Sequence, residues 1–283
     1  MIFYPEGTKK NVDVFTPENL QSAYEKGTIL ESRALMCDKD KQLRFMLGRR
    51  PAVMPLQECM AGGCKEVAVL ARVGHMVSFM ITEIPADTTL PVVLSRARAQ
   101  DMCKAECLDN LQCGEVIACK VTHLESFGAF CDVGCGVAAL LPIDCLSISR
   151  ISHPSDRVCV GQQLRCIVKS RDDLGRLVLS LKELLGTWQE NAAHFNAGET
   201  VVGIVRSIEK YGVFIELAPN LSGLAEYSEA LRAGQLVSVY IKSILPEKRK
   251  IKLAILRTIE GEDFRFPITY YTQDKMLTDW HYV

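Results

Sequence analysis

The chain has no apolar stretch approaching the ~20 residues that carry a helix across a bilayer. Its opening, MIFYPEGTKK, lacks the basic end and apolar run of a secretory leader. Both absences point to a soluble, cytoplasmic chain with no membrane partner. An excess of charge is missing too: 33 Lys and Arg stand against 34 Asp and Glu, a formal net charge of −1. Affinity for phosphate scales with the cations brought to it, so any basic surface must be local. No cysteine follows Cys166. All 12 lie between Cys37 and Cys166, and without an export signal reduced thiols are expected rather than disulfides. The close pairs Cys59/Cys64, Cys103/Cys107 and Cys131/Cys135 have wider gaps than the two-residue spacing usual in zinc sites, so no metal centre is expected. The five histidines are scattered, no glycine-rich phosphate loop or nucleophile elbow occurs, and no carboxylate pair stands at a useful spacing. Neither an enzyme nor a cofactor site is expected.

What the chain does have is a repeat. GEVIACKVTHLESFGAFCDVG from Gly114 and GETVVGIVRSIEKYGVFIELA from Gly198 align without a gap at an offset of 84 residues. Phe127 meets Tyr211, Gly128 meets Gly212 and Phe130 meets Phe214. Further on, Val160-Gly161 matches Ala233-Gly234 with the connection shortened by 11 residues in the second copy, the mark of a surface loop. Each copy consists of short Val/Ile/Leu-rich runs bounded by Gly, Asp and Pro, which predicts strands; in the first copy they fall near 115–125, 128–133, 137–141, 163–171 and 176–182. Five short antiparallel strands in so few residues bury their apolar faces and lose their edges by closing into a barrel. A glycine after Phe127 and after Tyr211 suits a bend that a side chain would obstruct.

Between the copies, KELLGTWQENAAHF places Leu185, Trp188, Ala192 and Phe195 at helical spacing before Gly198, which predicts a linking helix with Trp188 as packing rather than a stacking surface. Earlier, Thr16-Pro17-Glu18 is a helix start, with Leu20, Ala23 and Tyr24 on one face and Gly27 as the stop. Strand-like runs follow at 28–36, 42–48, 52–55, 76–84 and 91–95, so a third barrel is expected here, without the aromatic pair.

The two copies resemble the S1 RNA-binding domain family, a branch of the oligonucleotide-binding (OB) fold. The first carries SFGAFCDVG, VGQQL and DDLGRLVLSLK in order; the second carries KYGVFIEL, SGLAEYSE, AGQLVSVYIKS and KRKIKLAI. VMPLQE, RVGHMV and VVLSRARA make the first hundred residues similar to the degenerate leading domains of the same proteins. The resemblance implies a mainly β chain of tandem five-stranded antiparallel OB barrels joined by short helices. Its divisions are a degenerate domain over 1–100, a linker helix over 101–112, an S1 domain over 113–183, a linker helix over 184–196, an S1 domain over 197–258 and a tail over 259–283.

The family contacts RNA through the aromatic before the glycine, the Phe after it, a His ending the third strand, and an Asp and an Arg flanking the last turn. By position the resemblance assigns Phe127, Phe130, Asp172 and Arg176 in the first copy, with Leu141 or Pro142 where the His would be. In the second it assigns Tyr211 and Phe214, with Glu226, Pro246 and Lys250 at the His, Asp and Arg positions. Aromatic faces stack successive bases of a single strand for about 1–3 kcal/mol each without reading sequence. The competing reading puts these rings in the barrel cores. His123, Lys169 and Arg171 add polar and basic groups in the first copy, as do Arg206, Lys210, Lys242, Lys248, Arg249 and Lys252 in the second. Residues 197–258, with nine Lys and Arg against six Asp and Glu, are the most basic part of the chain, although a run such as KRKIK can also be a solvated turn.

By resemblance, the expected partners are single-stranded RNA, mRNA above all, and the small ribosomal subunit. The rival readings are a protein-docking adaptor using residues 1–100 and an accessory part of an RNA-processing assembly.

Overall fold

The computed structural model describes residues 3–9, 13–63, 66–260, 264–278 and 280. Cys64, one of the spaced cysteines, and parts of the tail lie outside the described residues. The chain divides into two units: residues 1–111 with 132–138, and residues 112–131 with 139–283.

In the first unit, α1 (Pro17–Lys26) begins where Thr16 accepts the Asn19 N–H and ends at Gly27, whose φ of 61° is left-handed. Leu20 and Ala23 are buried, while Tyr24, on the same predicted face, is exposed. The strands are β1 (Leu30–Arg33), β2 (Met36–Cys37), β3 (Leu43–Leu47), β4 (Arg50–Met54), β5 (Met76–Glu83) and β6 (Val92–Ser95), with α2 (Glu66–Leu70) before β5. They form one six-stranded sheet in the order β1-β5-β6-β4-β3-β2, not the closed five-stranded barrel expected. The difference lies in the first strand, which is broken in two. Ala34 donates its N–H to the His75 carbonyl on one side and Leu35 donates to the Arg44 carbonyl on the other, so β1 and β2 end opposite edges of the sheet. The Phe45 and Phe79 rings, 5.9 Å apart, are core here, so this sheet offers neither as a stacking platform.

The helix expected over 101–112 begins earlier: α3 (Arg96–Glu106) starts where Ser95 accepts the Arg98 N–H, and a short 3-10 turn covers Leu108–Asn110. Its early start brings Arg96 into the interior, where the guanidinium meets both carboxylate oxygens of Glu6, at 2.6 and 3.1 Å, and the Cys59 and Gly136 carbonyls. Asp132 is also buried in this unit and accepts the backbone N–H groups of Glu6, Gly134 and Gly136. Burial, and then the Glu6 charge, push its carboxyl up to about 6.

The second unit holds two closed barrels, except that residues 132–138, joining two strands of the first barrel, group with the first unit. The first barrel consists of β7 (Val116–Glu125), β8 (Gly128–Asp132), β9 (Ala138–Pro142), β10 (Gln163–Arg171) and β11 (Leu177–Ser180). The other consists of β12 (Thr200–Glu209), β13 (Gly212–Ala218), β14 (Leu221–Ala225), β15 (Leu236–Leu245) and β16 (Lys250–Ile259). Each closes through one parallel pair, Val178 opposite Leu140 and Leu224 opposite Lys252, within a circuit whose other registered pairs are antiparallel. Between them α4 (Trp188–Ala192) starts in a capping box made by Thr187 and Glu190, and Trp188 packs on the second barrel's core, as its helical spacing predicted.

The loop from β9 to β10, 11 residues longer than its counterpart, is not a free surface loop. Pro154, Arg157 and Val158 are buried, the Ser149 and Ser222 hydroxyls lie 2.9 Å apart, and the Ile148 N–H reaches the Asn220 side chain. The extra length therefore fastens one barrel to the other. The tail returns to the same unit: the Tyr271 N–H donates to the Leu184 carbonyl, Val116 donates to Lys275 and Leu277 donates to Gly114.

Candidate functional site

In the first barrel the bend from β7 to β8 presents the aromatic pair. A Cβ on Gly128 would stand 2.6 Å from the Leu141 carbonyl oxygen, so only glycine lets β8 approach β9 this closely. Phe127 is 53% exposed, and its ring meets Phe130 edge to face at 6.0 Å and 89°. His123 stacks with Phe130 at 6.4 Å and 23°, and its Nε2 lies 2.7 Å from Glu125 Oε1. The pair is a surface feature, with Phe130 half-buried as its base.

The second barrel repeats this geometry at the β12–β13 bend. A Cβ on Gly212 would lie 2.5 Å from the Ala225 carbonyl oxygen. Tyr211 is 70% exposed and meets Phe214 edge to face at 6.1 Å and 88°. Here the pair opens onto a cleft of about 560 Å³ whose lining includes Leu224, Glu226, Lys242, Arg249, Lys250 and Lys252. Arg249 sits in the left-handed conformation at φ 47°, unusual for a side-chain-bearing residue, at the turn into β16.

The other predicted RNA-facing residues divide. Lys210 is exposed beside Tyr211 in sequence. Lys242 reaches Glu226 at 2.8 Å, and this ion pair lowers the Glu226 carboxyl below its usual value. Lys169 donates to the Cys145 sulfur at 3.3 Å, which raises its ammonium's pKa. Arg171 donates weakly to the Gly175 carbonyl. Asp172 and Arg176 face each other across the β10–β11 turn at 2.7 Å, and Asp172 also accepts the Leu174 and Arg176 N–H groups. Burial opposes ionisation of Asp172, yet these hydrogen bonds outweigh it and its pKa is lowered. This pair shapes its own turn, and of the two it is Arg176 that stays exposed. Arg206 lies apart from the open face: its side chain is 6% exposed and its Nε donates to Glu216 at 2.6 Å.

Leu224 also lines the cleft of the second barrel, at a position to which none of the family's RNA-contacting types points. The alternation in β14 carried the signal, since Ser222 and Leu224 point outward between the buried Leu221, Gly223 and Ala225, and Leu224 lies opposite Phe214 in the sheet register.

Residues 110–182, which contain the first barrel, match the model of the S1 RNA binding domain family. The chain carries an S1 RNA-binding domain over residues 110–182. The small ribosomal subunit protein bS1 of Staphylococcus haemolyticus is 34% identical over 207 residues, covering 67% of this chain and 52% of that protein. Its counterpart in Staphylococcus aureus is 33% identical over the same length and shares. The S1-domain chain thus spans about half the length of the curated relatives it matches. A multidomain protein with nucleic acid binding domains from Streptococcus pneumoniae superposes over 81% of the chain and 73% of its own length, at 16% identity and a TM-score of 0.27. The S1 match falls on the barrel that carries Phe127 and Phe130; the second barrel repeats its aromatic bend outside the matched residues.

Proposed function

We propose that the chain binds single-stranded RNA, mRNA in particular, in association with the small ribosomal subunit, as a binding protein rather than a catalyst. The observation that carries this reading is the recurrence of one exposed edge-to-face aromatic pair, Phe127/Phe130 and Tyr211/Phe214, at the same bend of two closed barrels. Rings presented in this way can stack unpaired bases, whereas duplex bases are already stacked on each other. In the second barrel Lys242, Arg249, Lys250 and Lys252 line the same cleft as the rings, so phosphates and bases can be held side by side. In the first barrel Lys169, Arg171, Arg176 and His123 supply the polar surround. The ribosomal setting rests on the likeness to the bS1 proteins.

The test is fluorescence anisotropy with a short unstructured RNA, a duplex of the same sequence and single-stranded DNA, across a salt series. Tightest binding to the single-stranded RNA, falling with salt, is expected. Equal affinities for all three, or none at micromolar protein, would overturn the reading.

A further inference from the structure

A second cleft, of about 640 Å³, shares no lining residue with the aromatic cleft of the second barrel. Its walls come from the 3-10 turn Pro154–Asp156, the middle of β12, the approach to β15, the end of β16, and Phe264 and Arg265 of the tail. Arg206 forms a buried wall, and Arg232 and Arg265 stand exposed at the rim, with no ion pair of theirs among the described residues. The facing carboxylates are Asp156, 3.9 Å from Arg206, and Glu260. Behind the wall, Glu216 is shared between Arg206 and Arg157. Among the described residues, then, four guanidiniums stand against three carboxylates, and the buried part has two cations for one anion. Nε and Nη1 of Arg157 are buried without a hydrogen-bond partner. An under-compensated buried cation favours an anion nearby, because low-dielectric surroundings leave its charge poorly screened.

One apolar ring completes the arrangement. Phe264 lines the cleft, is exposed, and meets Phe266 edge to face at 5.1 Å and 86°. This is the geometry of the two aromatic pairs on the barrels, at 89° and 88°. The volume suits a nucleotide rather than a bare phosphate.

We propose that this cleft is a third nucleotide site, in which Arg206, Arg232 and Arg265 take a phosphate and Phe264 stacks the attached base. It deepens the RNA-binding reading and rests on it. The phosphate and base can belong to an RNA strand or to a free nucleotide, and the two sources leave different signatures.

The test uses the full chain with an unstructured RNA carrying 4-thiouridine, and three variants: Arg232→Ala with Arg265→Ala, Phe264→Ala, and Phe127→Ala with Tyr211→Ala. Both cleft variants should weaken RNA binding about tenfold, the arginine variant with a shallower salt dependence. Irradiation should cross-link the RNA to the peptide containing Phe264. Competition of that cross-link by micromolar uridine monophosphate would assign the site to a free nucleotide, and its persistence would assign it to the strand. Undiminished RNA affinity in both cleft variants, with no cross-link to that peptide, overturns the site if the barrel variant still loses affinity. If the barrel variant loses none either, the RNA-binding reading falls with it.

Discussion

Arg157 and Glu216 come from different barrels, stand 59 positions apart in the chain, and form an ion pair in which neither side chain has any solvent exposure. Arg206 joins from the other side, so one carboxylate answers two guanidiniums. Burial holds the Arg157 pKa below its ordinary value against the pull of Glu216. Breaking such a cluster costs more than its formation gains, because the survivor is a buried, unpaired charge.

Glu216→Gln should therefore destabilise the unit of two barrels by about 3–5 kcal/mol, since it leaves Arg157 uncompensated and Arg206 with Asp156 at 3.9 Å. Urea unfolding measures the loss. The β9–β10 loop should also become a site of limited proteolysis once its anchor is gone. A variant as stable as the parent would show that solvent reaches the cluster.

The aromatic pairs separate stacking from packing. Phe127→Ala or Tyr211→Ala removes an exposed ring, so each should weaken binding to an unstructured RNA by about 1–3 kcal/mol and leave the melting temperature nearly unchanged. Phe130 and Phe214 are half-buried supports, and their loss should lower both affinity and stability. Circular dichroism alongside anisotropy distinguishes the two effects. Unfolding of the Tyr211→Ala variant would place that ring in the core after all.

Lysines of the second barrel should show in the salt dependence. Removing one cation from a phosphate lowers the slope of log K against log salt by about 0.7 for a single strand, so Lys242→Ala with Lys250→Ala should reduce it by about 1.4. Asp172→Ala should move the slope far less, because its carboxylate is spent on its own turn. A slope unchanged by the lysine pair would exclude both from the RNA path.

Asp132 makes the first unit sensitive to pH. Its carboxyl is raised by burial to about 6 in the folded chain, so the folded state binds this proton more tightly than the unfolded one. Its contribution is therefore most favourable below the unfolded pKa and is lost as pH rises through about 6, on the order of 3 kcal/mol in all. Stability should rise as pH falls from 7 to 5. Asp132→Asn, though less stable because its amide opposes a backbone N–H, should be flatter over that range. Parallel pH profiles for parent and variant would refute this origin.

Much of the fold was legible from residue order alone. The gapless repeat, the period of the strands, the Thr16 cap with Gly27 stop, and the glycine after each aromatic all reflect local requirements that a residue type announces by itself. The aromatic pairs were equally legible, because a ring beside an obligatory glycine at a bend has few places to go. Tertiary structure alone decided what long-range partners impose. Arg206 reads as one more surface cation in the sequence, yet Glu216 and a loop from the preceding barrel bury it. The extra 11 residues of that loop read as tolerance for insertion, whereas in the folded chain they hold two barrels together. The broken first strand of residues 30–37 and the tail that returns to β7 were invisible for the same reason. Their hydrogen-bonding partners lie far away in sequence, and no local pattern records a distant backbone.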